Sequence, residues 1–143
     1  MKIYLVVILL PLTACGNTPA DEALVQEAYF EVSLLKDDQT VTAELTYMGD
    51  GENTEISYGS DLFLFHLTSD DNDVDEGTMI DTLSQNAELA SGESITEEIN
   101  INEITREELA EGSYTIEAEA RFTDEDGESR EIPVDKTFSV EER

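Results

Sequence analysis

Apolar and polar residues alternate through most of the chain after residue 29, a pattern typical of β-strands that bury one face and expose the other. The longest alternation places five apolar residues on one side: Tyr114, Ile116, Ala118, Ala120 and Phe122. Similar patterns occur at Phe30, Val32 and Leu34, and at Val41, Ala43, Leu45 and Tyr47. A last strand is predicted at Ile132, Val134, Phe138 and Val140. Within it, Pro133 and Lys136 indicate a sheet edge.

Shorter elements are predicted between these segments. Residues 56–58 mark a short strand, and residues 62–67 are apolar except for His66. We expect this second segment either to be buried on both faces or to present an apolar face outward. Residues 69–77 are predicted as an acid-rich loop, and residues 79–83 as a short edge strand.

The segment around residue 100 combines strand and helix signals. One strand face is predicted from Ile95, Ile99 and Ile101. Glu97 interrupts this face, and we expect a β-bulge there. A single helical turn is predicted at residues 105–109, because Thr105 and Glu108 fit a capping box at its start.

The number and spacing of these elements predict an all-β domain. Seven to eight short antiparallel strands, separated by turn signals at residues 49–51, 91–92 and 124–127, favour an immunoglobulin-like β-sandwich. Tyr114, in the sequence EGSYTI, resembles the tyrosine corner of that fold, although an ordinary half-buried strand position is the alternative. Ile116 stands where antibody domains carry a cysteine, and the chain has no tryptophan, so the predicted sandwich has no disulfide.

The first sixteen residues predict an export signal followed by a lipid anchor. An apolar run follows Lys2, and residues 12–15 (LTAC) resemble the lipobox of bacterial lipoproteins. That resemblance implies cleavage after residue 14 and lipidation of Cys15, which places the protein on the extracytoplasmic side of the cell membrane. A membrane-spanning helix, the first alternative, needs roughly 20 apolar residues, about twice the length of this run. A buried N-terminal core helix is the second alternative.

The chain is accordingly divided into three parts. Residues 1–14 are predicted to be the signal peptide, residues 15–25 the lipidated cysteine with a polar tether, and residues 26–143 the sandwich domain. The membrane is then a partner through the lipid on Cys15. Two acyl chains hold a protein stably where one chain holds it only marginally.

The charge of the chain limits its other partners. The formal charge is −28, from 35 acidic and seven basic residues. Removing residues 1–14 takes away only Lys2 among these, so the processed chain carries −29, several times the magnitude of about 2–8 expected for a small domain. Such a chain repels nucleic acid, so no nucleic-acid partner is expected. The acidity is either a surface adapted to a salty or alkaline exterior, or a surface for divalent cations or a basic partner.

No catalytic residues are predicted. His66 is the only histidine, and Cys15, the only cysteine, would be consumed by the lipid. No Ser/His/Asp or Cys/His arrangement is therefore indicated. Adjacent acids such as Glu97 and Glu98 arise by chance in so acidic a chain and do not indicate a glycosidase. We expect a protein that is not an enzyme.

One segment has the composition of a calcium loop. Asp71, Asp73 and Asp75 offer oxygen ligands at alternate positions. An EF-hand needs Gly at its sixth position and Glu at its twelfth, where this chain has Glu76 and Thr82. A looser extracellular Ca²⁺ site of millimolar affinity is the one cofactor site that the sequence offers. The alternative is a solvated acidic loop that holds no cofactor.

Several segments resemble the BsuPI-type intracellular proteinase inhibitor family. They are residues 42–47 (TAELTY), 56–59 (ISYG), 62–67, 90–94 (ASGES) and 111–120. The resemblance extends from about residue 31 to residue 122, and it implies an immunoglobulin-like sandwich that inhibits a proteinase. Named members of that family act inside the cell, whereas this chain has an export signal, and no reactive-site motif can be transferred to it.

Together these observations predict a membrane-anchored, extracytoplasmic lipoprotein that binds a protein or peptide and catalyses no reaction. Proteinase inhibition is the kind of binding that the family resemblance implies. The alternative is a calcium-dependent structural or adhesion domain of the cell envelope. The sequence does not identify the residues that would bind the partner.

Overall fold

The computed structural model describes residues 22–79, 84–105 and 108–141. These residues form two antiparallel sheets that pack face to face, which confirms the prediction of an all-β, immunoglobulin-like sandwich. With a single cysteine in the chain, no disulfide links the sheets. The described residues contain ten strands rather than seven or eight, because two segments predicted as tether and loop are also paired as strands.

In chain order the strands are β1 (Glu22–Glu27), β2 (Phe30–Asp37), β3 (Thr40–Tyr47), β4 (Thr54–Tyr58), β5 (Phe63–Ser69), β6 (Val74–Gly77), β7 (Gln85–Leu89), β8 (Ser94–Asn100), β9 (Gly112–Thr123) and β10 (Ser129–Val140). One short helix, α1 (Ile101–Thr105), follows β8. The first sheet has the order β1-β2-β3-β8. In the second sheet, β6, β5, β9 and β10 lie side by side. β4 joins β9 where Ser57 pairs with Thr123, and β7 pairs with β4.

The connectivity of the strands is that of an immunoglobulin-like sandwich. β3 pairs with β8 in the first sheet, whereas β5, β9 and β10 pair in the second, so the chain crosses between the sheets. β10 pairs with β9 over its whole length and with no second strand among the described residues. This position agrees with the edge predicted from Pro133 and Lys136.

The core lies between the sheets and is built from the inward-facing residue of each alternating pair. The predicted apolar faces of β2, β3 and β9 are buried at Phe30, Val32, Leu34, Val41, Ala43, Leu45, Tyr114, Ile116, Ala118, Ala120 and Phe122. The rings of Phe30 and Phe122 meet edge to face across the interface, with centroids 4.8 Å apart. Alternation in the sequence therefore identified the main core correctly.

The structure excludes one of the two alternatives for residues 62–67, burial on both faces. β5 leaves Leu64 and His66 partly exposed, so this strand is buried on one face. Residues 69–77, predicted as a loop, instead complete β5, turn at residues 70–73 and form β6. β6 is a strand because its backbone pairs with β5. Its side chains are mostly exposed and do not alternate between apolar and polar.

The edge strand predicted at residues 79–83 falls mostly outside the described part of the chain. Met79 lies outside the strands and is 87% exposed, and residues 80–83 lie outside the described part of the chain. The strand of this region is β7, which begins at Gln85 and pairs with β4.

β8 contains no bulge at Glu97. The strand pairs with β3 without interruption from Ser94 to Asn100. Glu97 instead points inward between Ile95 and Ile99, on the half-buried face of the strand. A carboxylate is tolerated on the inner face of a strand when backbone N–H groups donate hydrogen bonds to it. The strand therefore keeps its register at Glu97, and the predicted bulge was wrong.

α1 begins one turn before the predicted helical turn at residues 105–109. Its capping box is formed by Asn100 and Glu103. The Asn100 side chain accepts a hydrogen bond from the backbone N–H of Asn102 (2.9 Å). The Glu103 carboxylate accepts one from the backbone N–H of Asn100 (3.0 Å). Thr105, predicted to start the helix, is its last residue.

The domain begins earlier than predicted. β1 starts at Glu22, so the folded part extends at least four residues before the expected boundary at residue 26. Within the described residues, no helix has the length and apolar character that crossing a membrane requires. Residues 1–21 lie outside the described part, so the signal peptide and the lipidation of Cys15 stay predictions.

Candidate functional site

The predicted tyrosine corner is present at the start of β9. The Tyr114 hydroxyl donates a hydrogen bond to the backbone oxygen of Ala110 (2.7 Å), the upstream contact that defines this motif. The ring is buried and stacks on Phe138, with centroids 5.5 Å apart. Asn72, from the β5–β6 turn, donates to the same hydroxyl (2.9 Å) and to the backbone oxygen of Glu111 (3.0 Å). The corner therefore joins the acidic turn to β9.

The predicted calcium ligands make other contacts in the structure. Asp71 Oδ2 accepts a hydrogen bond from the backbone N–H of Ser113 (3.0 Å), and Asp75 Oδ1 lies 2.5 Å from His66 Nε2. Asp73 is exposed in the turn, with a φ of +52°. Over residues 22–79, 84–105 and 108–141, no three His, Cys, Asp or Glu side chains are placed to hold a metal ion. Asp71, Asp73 and Asp75 therefore do not form a cluster that could hold a metal ion in this structure.

His66 lies on the outer face of the second sheet. Its partner Asp75 is on the neighbouring strand β6, so the contact links two adjacent strands. Arg121 lines the same shallow groove and is bound to Glu119, with Glu131 at 3.9 Å. The Thr78 hydroxyl in this groove accepts a hydrogen bond from the backbone N–H of Phe65 (3.0 Å). These side chains are engaged in contacts within the sheet.

The two ends of the sandwich differ in what they present. Glu22 pairs with Leu35 beside the β2–β3 turn, so the chain enters the described domain at that end. Because neighbouring strands alternate in direction, four loops meet at the opposite end: residues 28–29, 48–53, 90–93 and 124–128. We call them the distal loops. They include the connections that correspond to the B–C and F–G loops of an immunoglobulin domain.

The distal loops expose a neighbouring pair of apolar side chains, Tyr29 and Met48. Their exposed fractions are 67% and 39%, and the backbone N–H of Met48 donates to the backbone oxygen of Tyr29 (2.6 Å). Phe30 and Tyr47 form the adjacent cross-strand pair. Tyr29 and Met48 directly follow this pair at the distal end of the first sheet, so they lie side by side there.

Tyr47 holds the 48–53 loop in place. Its hydroxyl donates to the backbone oxygen of Glu52 (3.3 Å). Gly49 is buried against the ring so closely that a Cβ atom at this position would overlap it. Burial, followed by repulsion from Glu125 and from further acids of these loops, raises the pKa of Tyr47 above its usual value. The loops of both sheets therefore lie near this ring.

Three of the four distal loops carry acidic residues, and none of the four carries a basic one. Their 17 residues contain no Lys, Arg or His and seven acids: Asp50, Glu52, Glu93, Asp124, Glu125, Asp126 and Glu128. Arg130, which follows the last loop, is 22% exposed and binds Asp124 (2.8 Å), with Glu128 at 3.7 Å and Glu27 at 3.8 Å. Burial would raise the pKa of Asp124, but hydrogen bonds from the Glu128 and Asp126 N–H groups and from Arg130 hold it below its usual value.

The pair formed by Tyr29 and Met48 was not predicted from the sequence. Residues 22–25 were assigned to the tether, so the hairpin formed by β1 and β2 was not expected. The available signal was a second apolar alternation, Ala23 and Val25, separated from Phe30 by a turn. Exposure of Tyr29 depends on that turn and on its pairing with β3, which no local pattern contains.

Comparison with known proteins does not extend this description. The likeness to the BsuPI-type inhibitor family rests on the segments quoted above, and the activity that it implies stays a prediction. No family model matches the chain, and no curated protein matches it either.

Proposed function

We propose that the protein is a lipoprotein held by Cys15 on the extracytoplasmic face of the cell membrane, where its sandwich binds a protein or peptide without catalysing a reaction. The observation that supports this most directly is the opposite placement of two features. The chain reaches the domain at Glu22, at one end of β1, whereas the exposed Tyr29 and Met48 lie at the other end of the sandwich. An anchor on Cys15 would leave the distal loops facing away from the membrane.

The length of the tether supports the same orientation. Seven peptide steps separate Cys15 from Glu22, and at most about 3.6 Å each they reach about 25 Å. β9, with twelve residues, adds about 40 Å at about 3.3 Å per residue. The distal loops would thus stand at most about 65 Å from the lipid surface, where a partner can reach them.

Anchoring is tested by replacing the lipidated residue. Cys15→Ser should move the protein out of the membrane fraction or leave it unprocessed, because the lipid supplies the attachment. Labelling with an alkyne fatty acid should mark the natural protein and not the variant, while a Thr18→Ser control should be labelled normally. A Cys15→Ser protein that stays in the membrane after correct cleavage would contradict the proposal.

Binding is tested by photo-cross-linking in living cells. A photoreactive residue is placed at Glu52 or Glu125 in the distal loops, and at Glu98 or Glu108 elsewhere on the surface. We expect a defined cross-linked product from at least one of these positions, abolished when the domain is unfolded by a core substitution. A protein that yields no defined product from any position would not be acting as a binding module.

Proteinase inhibition is a narrower form of this function, and the family resemblance supports it. The purified protein is added to proteinases from the cell envelope and culture medium of the same organism. Inhibition that reaches completion near equal molar amounts would place the protein in this subclass. Complete activity at a large molar excess would exclude it while leaving binding without inhibition.

A further inference from the structure

The distal loops bring together an exposed apolar pair and seven acidic residues, with no basic residue in the loops themselves. We infer that this surface docks a cationic segment of a partner protein, with an apolar partner side chain over Tyr29 and Met48 and Lys or Arg side chains against the surrounding carboxylates. This inference rests on the proposed function and names the part of the surface that would carry it.

A tight turn and a backbone hydrogen bond position the apolar half of the surface. Ala28 has a φ of +55°, a region that residues other than glycine, asparagine and aspartate rarely occupy. The 2.6 Å hydrogen bond between Met48 and Tyr29 fixes the backbone on the other side of the turn. A backbone that is already positioned has less entropy to lose on binding, and Tyr and Met are both enriched at protein interfaces.

The charged half of the surface selects the chemistry of the partner. The distal loops contain seven acids and no basic residue, and the adjacent Arg130 is already bound to Asp124. An anionic lipid surface or a nucleic acid would be repelled. A second copy of the chain would bring the same seven acids into the interface, so self-association is also disfavoured. A cationic protein segment is the occupant whose charge complements the surface.

The distal loops are anchored on strands of both sheets, which is an arrangement typical of a binding surface. Loop 28–29 joins two strands of the first sheet, loop 124–128 joins two strands of the second sheet, and loops 48–53 and 90–93 each connect the two sheets. The Gly92 N–H donates to the backbone oxygen of Tyr47 (2.7 Å), which ties loop 90–93 to the end of β3, beside loop 48–53. Binding residues carried on loops above a rigid sandwich are the usual arrangement for recognition.

The apolar contact is tested with two synthetic peptides of equal charge. One contains four Lys-Phe repeats and the other four Lys-Ser repeats, both acetylated and amidated. Binding to the lipidated full-length protein in phosphatidylcholine nanodiscs is measured by calorimetry, with empty nanodiscs as the blank. We expect the Lys-Phe peptide to bind at least about tenfold more tightly, since burying one aromatic side chain is worth that much.

Variants locate this difference on the protein. The double variant Tyr29→Ser, Met48→Ser should bind the two peptides about equally. The matched control Leu24→Ser, Met79→Ser removes two other exposed apolar side chains and should keep the difference. Equal affinity of the natural protein for both peptides would overturn the inference, and so would a loss of preference in the control.

The electrostatic contact is tested by neutralising three acids in the distal loops and, in a separate control variant, three acids at the opposite end of the sandwich. Glu52→Gln, Glu125→Gln, Asp126→Asn should weaken the Lys-Phe peptide severalfold and reduce the salt dependence of its binding. The matched triple Glu108→Gln, Glu111→Gln, Glu141→Gln has the same net charge and should have a smaller effect. Equal losses would show general attraction to the acidic chain and overturn the inference.

The cross-linking experiment separates this inference from the proposed function. A partner captured in cells through Glu98 or Glu108, and unaffected by Tyr29→Ser, Met48→Ser, would leave the binding function standing and remove the distal loops from it. If a partner is captured through Glu52 or Glu125 and the Tyr29→Ser, Met48→Ser variant abolishes this capture, both the binding function and the docking surface are supported.

Discussion

Glu97 is an inward-facing carboxylate that ties the two sheets together. From β8 in the first sheet, its Oε2 accepts the backbone N–H of Leu62 (2.8 Å) and its Oε1 that of Phe63 (3.1 Å), at the start of β5 in the second sheet. Burial raises the pKa of Glu97 above its usual value, although the two hydrogen bonds oppose this and Asp61 adds to it. The carboxyl group is therefore protonated more readily in the folded state than in the unfolded chain.

This shift predicts a pH dependence of known sign. The folded state binds the Glu97 proton more tightly, so the contribution of Glu97 to stability is largest at low pH and falls as pH rises above the ordinary pKa of a glutamate side chain, about 4.3. We expect the free energy of unfolding of the natural protein, minus that of Glu97→Gln, to decrease from pH 4 to pH 7. Urea unfolding of both proteins measures it, and the difference cancels the other acids. A difference that rises with pH would contradict the assignment.

Tyr114 stabilises the junction between β9 and the acidic turn through its hydroxyl. Tyr114→Phe leaves the Ala110 carbonyl and one Asn72 N–H without this partner, and we expect a loss of about 1 kcal/mol in the free energy of unfolding. Tyr29→Phe removes a hydroxyl from a side chain that is 67% exposed and serves as the matched control. If chemical denaturation gave the same free energy of unfolding for the two variants, the tyrosine corner would contribute nothing to stability.

Among the elements, β9 contributes most to the joining of the sheets. It pairs with β10 on one side and with β5 and β4 on the other. Its inner face meets β2, where Phe122 packs on Phe30. Truncating a side chain at this contact removes packing from both sheets at once.

Phe122→Ala should therefore lower the free energy of unfolding by about 3–5 kcal/mol, as the loss of a buried phenylalanine does. Phe138→Ala on β10 is the control, because Phe138 is only half-buried and should cost less. Thermal or urea unfolding of the soluble domain gives both values. If Phe122→Ala cost no more than Phe138→Ala, the Phe30–Phe122 contact would not be a central part of the core.

α1 illustrates how two similar capping signals compete. Residues 100–103 and residues 105–108 both fit a helix start, and the helix was predicted to begin at the second of these segments. The structure starts the helix after Asn100, which buries Ile101 and Ile104 against the core. Burial of two isoleucines outweighs the difference between the two caps, since each such side chain contributes about 1.5–3 kcal/mol.

At the level of the whole molecule, the charge should make stability depend on salt. The processed chain carries −29, and folding brings these charges closer together than they are in the unfolded chain. We expect the melting temperature of residues 17–143 to rise with NaCl, most steeply between about 0.01 M and 0.1 M, where the Debye length falls from about 30 Å to about 10 Å. A melting temperature that does not change with NaCl would contradict this account of the acidity.

Calcium provides the control for this salt experiment. Added at about 1 M NaCl, where screening is nearly complete, it should change the melting temperature little, because Asp71 and Asp75 are engaged with Ser113 and His66. A saturable increase that disappears in Asp73→Asn would restore the calcium site expected from the sequence.

The alternation of apolar residues was sufficient to predict the sandwich, its main strands and most of its core. This information is local, because successive side chains of a strand point to opposite faces whatever the strand pairs with. The tyrosine corner at Tyr114 could also be recognised, since its hydrogen bond to Ala110 spans four residues. The net charge needs no structure at all.

Other features depended on contacts between distant parts of the chain. β6 exists because its backbone pairs with β5, Glu97 keeps the register because two amides from the other sheet meet it, and β1 is a strand because β2 lies beside it. The candidate site has the same origin, since Tyr29 and Met48 become neighbours only when β2 pairs with β3. The hydrogen bonds and buried contacts that stabilise these features join residues far apart in the chain. A local pattern of residue types cannot contain that information.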